Sequence, residues 1–171
     1  MSAATAREWA DAYLAQARAD LEGARVLSGT SPSVFAMVLQ MVFEKLAKAA
    51  LLRSGAVNVA WAQGTHAAAS RMVLVMLRER ARIAPLGGSP TWQHVLSIVI
   101  TLEQAHPQVA ARLSPGSPQL EYPWVAVDGT VQWPARHLAI AASLGSPQNN
   151  LGARVLRFAT LLAERFDHIF P

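Results

Sequence analysis

The chain has 171 residues, of which 52% are hydrophobic and 15% are charged. These values fit one folded domain with its own core and exclude an intrinsically disordered chain. The sequence has no cysteine, which excludes a disulfide scaffold, a cysteine nucleophile and a thiolate metal site. The formal net charge of +4 permits an anionic partner without requiring one.

The mean hydropathy of +0.22 is high, so insertion into a membrane has to be considered. Glycine and proline interrupt the longest uncharged stretches, 26–43 and 83–102. A membrane span needs about 20 consecutive, mostly apolar residues, which neither stretch supplies. The first residues carry Arg7, Glu8 and Asp11 and contain no apolar run, so they do not have the pattern of a signal peptide. We therefore expect a cytoplasmic protein with no membrane partner.

Helical periodicity and capping signals predict five helices. They cover about 5–27, 32–53, 65–82, 91–113 and 149–170. Thr5 and Glu8 have the spacing of a capping box, and Thr65 is the predicted cap of the third helix. A loop at 85–90 that contains Gly88 separates the third and fourth helices, and Pro107 should kink or end the fourth.

The second predicted helix is apolar on more than one side. Such a helix lies at the centre of a bundle or faces a second subunit. We therefore predict an all-α fold, an antiparallel up-and-down bundle of four to five helices that forms a single domain over residues 1–171.

Residues 114–150 are rich in proline and glycine and include Pro115. Asp128 and Gly129 stand between alternating residues and predict a small hairpin over 125–133. Because an isolated hairpin is marginal in water, Trp124 or Trp133 should pack against the bundle. The prediction is a hairpin-bearing insertion near 114–135, followed by a short helical turn at 135–144.

Common catalytic and metal-binding motifs are absent from the sequence. The five histidines, at 66, 94, 106, 137 and 168, have no metal-ligand spacing among them. Glu103 and His106 form one Glu-x-x-His pair, but a di-metal site in a helical bundle needs two. We therefore expect neither a metal site nor a cofactor.

Three charges interrupt the apolar second helix: Glu44, Lys45 and Lys48. Glu44 precedes Lys48 by four positions, which favours an ion pair on a helix. Two interpretations are open. The pair is exposed and contributes a few tenths of a kcal/mol, or it is a charged strip that a buried or interfacial helix retains for function.

The order of three segments resembles the HEPN family, the higher eukaryote and prokaryote nucleotide-binding domains. The segments are A-x-x-D-L-x-x-A at 17–24, Q-x-x-x-E-K-x-x-K-A at 40–49 and G-x-H at 64–66. In this chain Gln40, Glu44, Lys45, Lys48 and His66 occupy the pattern. The resemblance implies a helical bundle, usually dimeric, and covers roughly residues 8–80.

Members of that family include RNases, toxins of toxin–antitoxin pairs and non-catalytic partners of nucleotidyltransferases. The RNase branch has an arginine followed, after four to six residues, by a histidine. No arginine in this chain has a histidine five to seven positions downstream. The resemblance therefore does not imply RNase activity here.

Arg136 and His137 are adjacent to Trp133 and Pro134. They either clamp a phosphate beside an aromatic platform or pack a loop onto the helices. His66 is either a locally hydrogen-bonded residue of the third helix's first turn or a ligand contact beside the second helix.

We favour a HEPN-like, non-enzymatic protein that associates with a nucleotide or RNA as a homodimer. The alternatives are a metal-independent, toxin-like RNase that uses non-standard residues, or a structural partner of a nucleotidyltransferase antitoxin. No catalytic residue is assigned. The ligand-binding candidates are Glu44, Lys45, Lys48, His66, Arg136 and His137.

Overall fold

The computed structural model describes residues 4–87, 89–114 and 116–171, and it is 71% helical. Gly88 and Pro115, which the sequence assigned to loops, lie outside the described residues. The helices are α1 (Ala6–Leu27), α2 (Pro32–Arg53), α3 (Val59–Gly64), α4 (Ala69–Arg78), α5 (Arg80–Ile83), α6 (Ser89–Gln104), α7 (Pro107–Leu113), α8 (Pro134–His137), α9 (Ala139–Gly145), α10 (Leu151–Glu164) and α11 (Phe166–Ile169), with a 3₁₀ turn at Ala84–Leu86. Strands β1 (Trp124–Val125) and β2 (Val131–Gln132) pair antiparallel. The predicted all-α bundle is confirmed.

The first two helices form the main hairpin of the bundle. The capping box at the start of α1 is complete, because the Thr5 hydroxyl accepts the Glu8 N–H and the Glu8 carboxylate accepts the Thr5 N–H. Helix α2 begins with Pro32 as predicted, although the Ser31 side chain makes no capping hydrogen bond. A four-residue connection and extensive contact along their lengths make α1 and α2 antiparallel neighbours.

Helix α2 is the central element of the fold. It contacts α1, α4, α6, α9 and α10, and its buried residues include Phe35, Leu39, Phe43 and Leu46. Packing within one chain therefore accounts for most of its apolar surface. This position also surrounds the charged residues of α2 with neighbouring helices, so that Glu44 and Lys48 are buried.

The third predicted helix is wrong in its extent. Residues 65–82 are not one helix, since α4 begins only at Ala69 and ends at Arg78, and Glu79 separates it from α5. A separate short helix, α3, precedes this range. The Asn58 side chain caps α3 by accepting the Trp61 N–H. Thr65 does not cap α4; its hydroxyl accepts the Ala67 N–H in a local turn, and this turn presents the next residue, His66.

Pro107 ends the fourth predicted helix early, as its missing N–H requires, and α7 starts at that proline. The predicted hairpin is confirmed, and Gly129 occupies a positive φ of 82° in its turn. Trp124 anchors the hairpin, being only 5% exposed. Tyr122 and Trp133 remain 59% and 41% exposed.

Among the described residues, no helix combines the length and hydropathy that a membrane span requires.

Candidate functional site

A buried ion pair on α2 forms the centre of the candidate site. Lys48 Nζ lies 2.7 Å from Glu44 Oε1, and Gln40 Nε2 donates to Glu44 Oε2 at 2.9 Å. The side chains of Lys48 and Glu44 are 6% and 12% exposed. With so little exposure the pair is buried and is not a solvated surface contact.

The surroundings of Glu44 keep its carboxylate ionised. Burial acts to raise the Glu44 pKa, because it removes water from the charged form. Hydrogen bonds from Lys48 and Gln40 and the positive charge of Lys48 act in the opposite direction and outweigh burial. The Glu44 pKa therefore lies below its ordinary value of 4.5, and the site holds a fixed negative charge at neutral pH.

His66 approaches this carboxylate from the connection between α3 and α4. Its Nδ1 atom lies 3.2 Å from Glu44 Oε1 and 3.3 Å from Glu44 Oε2. The His66 side chain is 29% exposed, so one part of the ring contacts the buried carboxylate while another part reaches solvent.

His106 completes the cluster and was not among the predicted site residues. Its ring stacks on the His66 ring, with centroids 4.0 Å apart and planes at 11°. His106 is the N-cap of α7, and its Nδ1 accepts the Gln108 N–H at 3.3 Å. On the other side of the ring, Nε2 lies 3.9 Å from Glu121 Oε1.

Burial lowers the His106 pKa from its ordinary value of 6.5, and the neighbouring His66 adds to this shift. The carboxylates of Glu44 and Glu121 act in the opposite direction. This shift favours the neutral imidazole, which keeps a lone pair for a hydrogen-bond donor or a metal ion.

The Glu-x-x-His pair noted in the sequence is divided between two structural roles. The Glu103 carboxylate accepts the Ser70 N–H in the first turn of α4 at 3.1 Å, whereas His106 joins Glu44 and His66. The sequence signals only that His106 precedes Pro107, since proline is frequent at the first position of a helix and the residue before it is then the N-cap. Its partners lie on other helices and could not be read from local spacing.

Glu44, His66 and His106 together with Gln40 and Lys48 are called the Glu44 cluster below. Glu44, His66 and His106 each offer one oxygen or nitrogen atom, and these three atoms lie within 4.8 Å of one another.

A group of aromatic rings adjoins the Glu44 cluster through Tyr13. Lys48 Nζ lies 5.4 Å from the centroid of the Tyr13 ring. The Arg71 guanidinium carbon lies 4.7 Å from the centroid of the Trp61 ring. Trp9, Tyr13 and Trp61 are partly buried and pack on one small apolar group formed by Ala10, Leu52 and Ala62. Partly exposed rings beside cations are among the elements with which proteins bind single-stranded nucleic acid.

The remaining candidates lie outside the cluster. Lys45 Nζ pairs with Asp20 Oδ2 at 2.6 Å and joins α2 to α1. Both residues belong to the motif segments, so this part of the motif holds the helices together. His137 Nδ1 accepts the Trp133 N–H at 3.1 Å, and the Arg136 guanidinium lies 5.7 Å from the Trp133 ring centroid.

No protein-family model, curated protein or solved structure matches this chain.

Proposed function

We propose that this protein is a HEPN-like, non-enzymatic cytoplasmic protein that binds the phosphate and base of a nucleotide or of single-stranded RNA beside the Glu44 cluster. The observation that carries the proposal is the convergence of Glu44, Lys48 and His66. These residues belong to the segments that resemble the HEPN family, and they meet at one place. Lys48 faces the Tyr13 ring of α1 there, and Tyr13 packs on the same small apolar group as Trp61 of α3.

The chemistry of this surface supports a nucleotide more than a simple anion. Lys48 is neutralised by Glu44, so it does not offer a free charge to a phosphate. Arg71 and the exposed part of His66 supply hydrogen-bond donors, and the Trp61 ring offers a face on which a base can stack.

Binding of fluorescently labelled single-stranded RNA, followed by anisotropy with ATP as competitor, tests the proposal. Base–aromatic stacking contributes about 1–3 kcal/mol, so Trp61→Leu should weaken binding by about 5- to 150-fold. Arg71→Gln should weaken binding and reduce its salt dependence, because one phosphate contact is lost.

The chain offers a matched control, since Trp133 and Arg136 form a second tryptophan–arginine pair in the insertion. Trp133→Leu and Arg136→Gln should leave RNA affinity unchanged. If these two variants lose binding while Trp61→Leu does not, the ligand site lies on the insertion and the proposal fails. Absence of saturable binding by the wild-type protein would also contradict it.

A metal-independent RNase is the second candidate function, and one observation favours it. His66 is oriented by the Glu44 carboxylate and lies against His106, an arrangement that can supply a general base and a general acid. We expect no cleavage when the protein is incubated with RNA in excess chelator. Cleavage that disappears in His66→Asn would instead establish the enzyme.

A further inference from the structure

We propose that Glu44, His66 and His106 bind one divalent transition-metal ion of the zinc class. The inference rests on the three ligand atoms that lie within 4.8 Å of one another. It does not depend on nucleotide binding.

The donor set matches zinc. Two imidazole nitrogens and one carboxylate oxygen, with a fourth position open, form a recurrent zinc site. The same set is poorly suited to Mg²⁺ and Ca²⁺, which take oxygen ligands. Tetrahedral zinc places its ligand atoms about 3.3 Å apart, so atoms now within 4.8 Å must approach by at most about 1.5 Å.

The elements that carry the ligands permit this approach. Glu44 is fixed on α2 by Gln40 and Lys48. His66 lies in a connection between helices, and His106 is the second of the two residues between α6 and α7. The two imidazoles can therefore move toward an anchored carboxylate without displacing a residue inside a helix.

Metal binding has two local consequences. The stacked imidazole rings must open from their 11° interplanar angle, because a metal lies in the plane of each ring that ligates it. The 3.3 Å contact between Gln108 N and His106 Nδ1 is also lost. Ligation through His106 Nδ1 uses the lone pair that now accepts the Gln108 N–H. Ligation through Nε2 moves the ring proton onto Nδ1, which then cannot accept a hydrogen bond.

Lys48 opposes the ion, because its ammonium group lies 2.7 Å from the Glu44 oxygen that faces the cluster. Replacing Lys48 by methionine removes this charge and keeps a long apolar stem. Lys48→Met should therefore increase zinc affinity by at least about tenfold. A merely structural cluster would show no such gain.

Calorimetric titration of the metal-free protein with Zn²⁺, in the absence of nucleotide, tests the proposal. We expect one ion per chain, and Co²⁺ should give the visible absorption of a four- or five-coordinate site, whereas Mg²⁺ should not bind. His66→Asn and His106→Asn should each weaken binding by at least about tenfold. The control His137→Asn, which removes a histidine outside the cluster, should leave affinity unchanged.

Three results would overturn the assignment. They are the absence of zinc binding, retention of full affinity in both His66→Asn and His106→Asn, and unchanged affinity in a folded Lys48→Met protein. Thermal unfolding with and without Zn²⁺ gives a second readout, since bound metal raises the Tm of each variant according to its affinity. Because RNA binding is measured separately with Trp61→Leu, failure of the metal site leaves the proposed function untouched.

Discussion

Glu44→Gln removes one charge from the buried ion pair while keeping the shape of the side chain. Lys48, with a 6% exposed side chain, then remains buried without its 2.7 Å counter-ion. Breaking a buried pair in this way costs about 3–5 kcal/mol, because the remaining charge is desolvated and uncompensated. For a chain of this length the Tm should fall by about 6–20 °C.

Urea denaturation followed by circular dichroism, with chelator present, measures this loss. The double variant Glu44→Gln with Lys48→Met should recover most of the stability, since no unpaired charge is left inside the bundle. The exposed pair of Glu22 and Arg25 provides a control, and Glu22→Gln should change the free energy of unfolding by no more than about 1 kcal/mol.

The reasoning is refuted if Glu44→Gln is as stable as the wild-type protein. It is also refuted if the double variant is as unstable as the single variant, because the loss would then come from the changed carboxylate contacts and not from the unpaired ammonium group.

Three further predictions concern the rest of the fold. A Cβ at Gly152 would clash with the Leu144 carbonyl oxygen, so Gly152→Ala should destabilise the protein by about 1–3 kcal/mol in urea titrations. The control Gly23→Ala, at an uncrowded position of α1, should stabilise it by about 0.5–1 kcal/mol, and equal effects of the two substitutions would contradict this prediction. A hydrogen bond from Arg53 lowers the pKa of Asp167 below its ordinary value of 3.8. The ionised Asp167 carboxylate therefore contributes fully to stability above pH 3.8, and this contribution is lost as the pH falls through the pKa of Asp167 in the folded protein. In Asp167→Asn the free energy of unfolding should therefore fall less steeply at acid pH than in the wild-type protein. An unchanged pH dependence would contradict a stabilising Arg53–Asp167 pair. We also expect a homodimer, with a light-scattering mass near twice 18.4 kDa, and a monomer mass at micromolar concentration would contradict it.

Local signals in the sequence determined the class of the fold and several of its boundaries. The capping box of Thr5 and Glu8 started α1, Pro32 started α2, and Pro107 ended a helix because it lacks an N–H. Each of these features depends on residues within four positions of one another, so the sequence shows every residue involved. The third helix was predicted to start too early, because the Thr65 hydroxyl accepts the Ala67 N–H in a local turn and does not cap the helix.

The candidate site was also predictable from the sequence only in part. The sequence singled out Glu44, Lys48 and His66, because charges four apart in an apolar helix and a histidine after a loop are visible locally. Only the tertiary structure buried the ion pair, sent Lys45 to Asp20, and brought His106 to a carboxylate 62 positions earlier in the chain. Both the burial of the ion pair and contacts between residues far apart in the chain depend on how the helices pack around α2. Many weak apolar contacts decide this packing, and no short motif contains them.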